Sequence, residues 1–310
     1  MACRNHESGI VVRVAARPQT IIAFAIRPQS RANEAFTSGA HGHQHTRSER
    51  DRSPRAGRQR RVSPDTIVVA DGGVAWLTQE PAARIRISDE VLERFPSFRL
   101  RVLYAFGIRN RPSDATSREW LREGASRGLA ALGGMRPGEH PHVKLWRDAY
   151  SAFGAKPSAY PCSAEALIQR VVKRGADAVP GINWLVDAYN AVSLAHLVPI
   201  GGEDLDRLVG PGVLRLATSK DADVDTATAA DAPKPGEVIW ADDVGWTCRR
   251  WNWRQGPRTR LTESSRNAYF IIEGMAPALT ETELDEAARE LAERIGDAAR
   301  PEDLQIVRLV

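Results

Sequence analysis

Residues 186–206, VDAYNAVSLAHLVPIGGEDLD, decide how the rest of the chain is read. Their first half belongs to a helix predicted over 182–195. Asn183, Asp187 and Asn190 follow one another at i, i+4 and i+7 and share one face, while Leu185, Val186, Tyr189 and Val192 take the opposite, core-facing side. A solvated face is more often Lys and Glu, so a stripe of Asn and Asp reads either as a hydrogen-bonded network holding neighbouring loops or as a ligand-facing wall. After Pro199, the paired glycines Gly201 and Gly202 allow close backbone approach, and their N–H groups suit an oxyanion. Glu203, Asp204 and Asp206 come next, either as the acidic first turn of a short helix or as an Asp-x-Asp pair for Mg²⁺.

Working outward, strands are predicted over 66–70, 84–87 and 98–106. In the last of these Phe98, Leu100, Val102, Tyr104 and Phe106 share a face. Ser88 opens a short helix that Pro96 closes. Further helices are predicted over 117–132, 141–153 and from Ser163 to a stop at Gly175. Beyond Val198 the texture changes to short strands over 213–217, 237–241, 247–253 and 268–273, with a last amphipathic helix over 281–295. Residues 219–235 read as a surface insertion. Helices gathered in the first half and strands in the second predict an α/β domain of the mixed α+β kind rather than a regular βαβ series.

Charge divides the chain differently. Residues 1–64 hold twelve Arg, no Lys and four acids, a net +8, whereas the remainder holds 31 Lys and Arg against 35 Asp and Glu, a net −4. Residues 1–65 are therefore expected to be a disordered Arg-rich leader and 66–310 the folded domain. An organellar transit peptide is the alternative reading of that leader. Its apolar run over 20–26 is far shorter than the roughly 20 residues a membrane helix needs, and no secretory pattern precedes it, so a cytoplasmic protein is expected. Cys3, Cys162 and Cys248 fit no zinc spacing, and the alternating His41, His43 and His45 have no folded shell around them, so no structural metal is expected.

No Walker A motif, strand-linked G-x-G-x-x-G, H-E-x-x-H or G-x-S-x-G occurs, which argues against nucleotide-driven, dinucleotide or triad chemistry and for no cofactor. The remaining candidate is 248–255, CRRWNWRQ, extended by Arg258 and Arg260. Read as one strand, it sets Arg249, Trp251 and Trp253 on one face and Arg250, Asn252 and Arg254 on the other. Five Arg without an acid predict an RNA-binding surface of Arg249, Arg250, Trp251, Trp253 and Arg254, the alternative being core tryptophans and arginines paired with the domain's own acids. A helix-turn-helix across 163–195 is disfavoured, because its connector is too long and its second helix has no Arg or Lys.

The order Val186-Asp187-x-x-Asn190, Pro199, Asp204-Leu205-Asp206, Gly210, Gly212 and Arg215-x-Ala217 resembles the B3/B4 domain of the phenylalanyl-tRNA synthetase beta subunit. Closer likeness to free-standing B3/B4 proteins lies in Phe153-Gly154-x-Lys156-Pro157, Ser163-Ala164-Glu165-Ala166-Leu167, Gly236-Glu237, Arg249-Arg250-Trp251-x-Trp253-Arg254-Gln255 and Thr262, and it spans about residues 84–296. The resemblance implies a three-layer ββα sandwich and a protein that binds the aminoacylated 3′ end of tRNA as a trans-editing deacylase. A non-catalytic RNA- or amino-acid-binding module is the alternative. Asn183, Asp187, Asn190, Gly201, Gly202 and Glu203 would line the pocket. The synthetase's P-M-H-A-F-D is replaced here by Pro199-Ile200-Gly201-Gly202-Glu203-Asp204, and its Gly-Gly-Glu segment by the Trp- and Arg-rich stretch, so tyrosine specificity is not carried over. Without an ATP-handling motif the chain is not expected to charge tRNA.

Overall fold

The computed structural model describes residues 84–222 and 232–310, together with the strands β1 (Gly9–Arg13) and β2 (Pro64–Ile67). The expected disordered leader over 1–65 lies outside the described residues apart from β1 and the start of β2, and the insertion lies outside them over 223–231. Along the chain follow β3 (Ile85–Ile87), α1 (Asp89–Arg94), β4 (Phe98–Phe106), α2 (Ala115–Leu132), α3 (Pro141–Ala152), α4 (Ser163–Arg174), α5 (Trp184–His196) and β5 (Ile200–Asp204). Then come β6 (Gly212–Leu216), β7 (Val238–Ala241), β8 (Trp246–Arg249), β9 (Arg254–Gln255), β10 (Ala268–Met275), α6 (Glu281–Ala299) and β11 (Asp303–Arg308). Among the described residues no helix is long and apolar enough to cross a membrane.

Two sheets form, one ordered β2-β1-β11-β4-β10-β5 and the other β3-β6-β7-β8-β9. Strand β4 shows why they stack. Its alternate residues Phe98, Leu100, Val102 and Tyr104 join a core with Leu214, Trp240 and Trp251 of the second sheet and its turns, while Leu103 and Ala105 join a core with α5 and α6. The result is sheet on sheet on helix, the expected ββα layering.

Helix ends follow local chemistry. Asp114 caps α2 by accepting from the N–H of Thr116 and Ser117, in a capping box that Ser117 completes, so α2 begins before the predicted 117. Thr280 and Glu283 form a second box at α6. α2 crosses α5 at its glycines: a Cβ on Gly124 would lie 2.3 Å from the Ala191 carbonyl oxygen, and one on Gly128 2.5 Å from that of Leu194.

Two readings change in the structure. Residues 200–204, expected as a glycine turn leading into a helix, form the edge strand β5, because Gly201 and Gly202 pair with Ile271 and Phe270 of β10, while the short helix with acids at its start does follow, as a 3-10 turn over Leu205–Arg207 capped by Asp204. Residues 247–253, expected as one strand, break after Arg249 into a turn whose Arg250 and Trp251 take left-handed backbone at φ 45° and 65°. β9 then returns with Arg249 opposite Arg254.

Candidate functional site

On the face of the first sheet that meets the second, cross-strand register lines up Glu203, Tyr269, Tyr104 and Gln305 from β5, β10, β4 and β11. Directly paired residues share a face, so four polar side chains form a row inside the inter-sheet space, and all four are buried. The Tyr269 hydroxyl donates to Glu203 Oε2 at 2.6 Å. Burial raises the Glu203 pKa above the usual carboxylate range, against the pull of Tyr269, Thr259, Thr247 and Gln255, which favour its charged form. The Thr259 hydroxyl is near enough to exert that pull yet makes no hydrogen bond. The Tyr104 hydroxyl is likewise buried and unpartnered. Unsatisfied buried hydroxyls beside a desolvated carboxyl mark a place built to hold a polar group.

The two glycines of β5 do different work. Gly201 shares the Glu203 face, and a Cβ there would meet only the Ile271 side chain, at 3.6 Å and 3.8 Å, so its lack of a side chain leaves room beside the carboxyl. It is also half-exposed. Gly202 faces the helices, where a Cβ would lie 2.6 Å from the Phe270 ring. Its carbonyl accepts from Gln255 Nε2 at 2.9 Å. Along the outer edge of β5, Asp204 N–H donates to Thr259 O at 2.8 Å and Arg260 bridges to Glu203, so residues 255–260 wall the site.

Asp204 and Asp206 point apart. Asp204 is buried and accepts from Ser265 Oγ at 2.6 Å, whereas Asp206 is exposed and takes both bonds from Asn267 Nδ2 at 2.9 Å and 3.0 Å. Among the described residues no cluster of His, Cys, Asp and Glu is arranged to hold a metal ion.

The stripe on α5 is used mainly for structure. Asn183 precedes the helix as its N-cap, accepting from Val186 N–H at 3.1 Å, and its amide donates to Leu261 O at 3.4 Å. Asp187 is fully buried and accepts from the Ser113 hydroxyl, from Ser117 Oγ at 2.7 Å and from Ile182 N–H at 2.8 Å, which ties α2 and its leading loop to α5. Asn190 is half-buried midway along the helix. Through Leu261, Asn183 holds the far side of the segment that walls Glu203. The predicted pocket residues are thus brought together at Gly201 and Glu203, with Gly202 and Asn183 supporting them from outside.

The arginine-rich stretch separates likewise. Arg249 is buried and paired fork to fork with Glu237 at 3.0 Å and 3.0 Å, and Arg258 holds Asp242 at 2.8 Å and 2.6 Å. Trp251 is fully buried in the inter-sheet core, which closes its ring to an RNA base. Arg254 is exposed beside half-buried Trp253, its guanidinium 5.9 Å from that ring. Arg260 is exposed as well.

Glu273 escaped the sequence reading. It is completely buried on β10, accepting from Trp240 Nε1 at 3.2 Å, Trp251 Nε1 at 3.1 Å and Asn252 Nδ2 at 2.9 Å, and Asn252 is fixed in turn by the Tyr150 hydroxyl at 2.8 Å. Burial pushes its pKa up to about 7 despite those donors. A lone acid inside the apolar run AYFIIEGM was the available signal.

The model of the B3/4 domain family matches residues 145–304, which run from α3 to β11 and include the whole Glu203 row except Tyr104 and Gln305. No curated protein matches the chain. The match takes in more than half of the 310 residues and runs through strands of both sheets and the helices α4, α5 and α6, so the chain belongs to the B3/4 domain family.

Proposed function

We propose that this protein binds the aminoacylated 3′ end of tRNA and hydrolyses mischarged esters in trans, with the inter-sheet space at Glu203 as the reaction site. The observation that carries the reading is the desolvated Glu203 carboxyl beside the open Gly201 position. An aminoacyl ester is already labile. A site that orients one water and excludes the rest lowers the barrier without a covalent nucleophile. Glu203 accepts a proton from the water that adds to the ester carbonyl and returns it to the terminal ribose oxygen as the ester C–O bond breaks, so that the ribose leaves as an alcohol and the amino acid as its acid. Half-buried Trp253 with exposed Arg254 and Arg260 offers a ring and cations to the acceptor strand.

Incubating the purified protein with a panel of mischarged tRNAs tests this. At least one ester is expected to be lost faster than in buffer. Binding of tRNA with every ester spared would instead support a non-catalytic RNA-binding module.

A further inference from the structure

Arg250 lies outside the Glu203 row, and its ion pair with Glu237 leaves part of its guanidinium unbonded. Its guanidinium is covered by Tyr160 at 3.7 Å and Trp253 at 4.5 Å, whose rings meet edge to face at 4.9 Å. Its side chain is 7% exposed. Glu237, the acid beside it, has both oxygens bonded to Arg249, which leaves Arg250 Nη2 at 3.6 Å, beyond hydrogen-bond length. Nη1 is buried with no hydrogen-bond partner at all.

A buried cation with an orphan donor is costly, and proteins keep one where a second group completes it. The two rings cover the guanidinium from two sides, and with Nη2 beside Glu237 it is Nη1 that is left to meet an acceptor. Both rings are half-buried, so ligand entry needs only their displacement.

We propose that Arg250, caged by Tyr160 and Trp253, is a recognition site for a single oxyanion, a phosphate or carboxylate group. The site is independent of ester cleavage at Glu203. Its ligand has two sources: a terminal phosphate of RNA, or a small free oxyanion.

The full-length protein is titrated with inorganic phosphate, with acetate, and with a short single-stranded RNA carrying or lacking a 5′-phosphate, following tryptophan fluorescence and thermal midpoint. Saturable binding of at least one anion is expected, weakened about tenfold or more by Arg250→Lys, which keeps the charge and loses the fork. Tyr160→Leu leaves Arg250 in place, removes one wall at a half-buried position, and is expected to weaken binding likewise. Competition by the 5′-phosphorylated RNA alone assigns the site to nucleic acid, and binding of inorganic phosphate or acetate without such competition assigns it to a free oxyanion. No saturable response in the wild-type protein, or unchanged affinity in both variants, overturns the proposal.

Discussion

Glu273 sits four residues along β10 from Tyr269 on the same inter-sheet face, with three N–H donors and no cation bonded to it. Its folded pKa of about 7 exceeds the roughly 4.3 of an unfolded chain, so between those values the folded state binds more protons. This contribution to stability is complete below the unfolded value and is lost as pH rises through about 7, an effect on the order of 3 kcal/mol. Glu290 works in the opposite sense. Burial would raise it, but His196, Arg127 and Arg294 outweigh that and hold it well below the usual carboxylate range, so its contribution is lost as pH falls. Glu273→Gln isolates the first effect, because the amide mimics the protonated acid once Asn252 turns over against the Tyr150 hydroxyl. Urea midpoints for that variant are expected to vary less between pH 4.5 and 7 than those of the parent and to be higher at pH 8; an unchanged slope contradicts the assignment. At this scale the sequence singled out Gly201 and Glu203 for their paired glycines and following acids, while reading them as a turn and not as the strand they form. It could not show that Asp187 is consumed by Ser113 and Ser117, since those partners lie about seventy residues away.

Helices α2 and α5 approach so closely that the Gly124 position admits no side chain without moving the α5 backbone. Gly124→Ala is expected to cost about 1–3 kcal/mol in urea unfolding, as overpacking does. Gly296→Ala, in α6 with nothing near the added methyl, is expected to gain about 0.5–1 kcal/mol from helix propensity alone. Equal effects at the two positions would refute the close-packing account. Helices were the legible elements, for their caps and stops are local: Gly133 and Gly175 end α2 and α4 as the sequence predicted. Strands β5 and β11 were not read. Their pairing with β10 and β4 is a long-range event, and β5 carries glycines and acids in place of β-branched residues. The hairpin at 250–253 was hidden for a related reason. No glycine marks its left-handed turn, which is held instead by Trp251 in the core and by its N–H donating to Val238 O at 2.6 Å.

Across the whole molecule, charge is unevenly placed, with +8 in residues 1–64 and −4 in the rest. On the proposed function, a polyanion such as tRNA is drawn to the first part and repelled by the bulk of the second, so that reading gives recruitment and chemistry to different segments. Replacing the seven arginines from Arg47 to Arg61 by Gln is expected to weaken tRNA binding about tenfold at low salt and to flatten its salt dependence, while the single-turnover rate at saturation holds. A fall in that rate with affinity intact would contradict the division. Glu203→Gln probes the inter-sheet site itself. It preserves the shape beside Gly201 and removes the base that takes the water's proton. Single-turnover hydrolysis of the most sensitive mischarged tRNA is expected to fall at least about a hundredfold, with tRNA affinity and thermal midpoint near those of the parent. Hydrolysis at the parental rate by the folded variant would contradict the account.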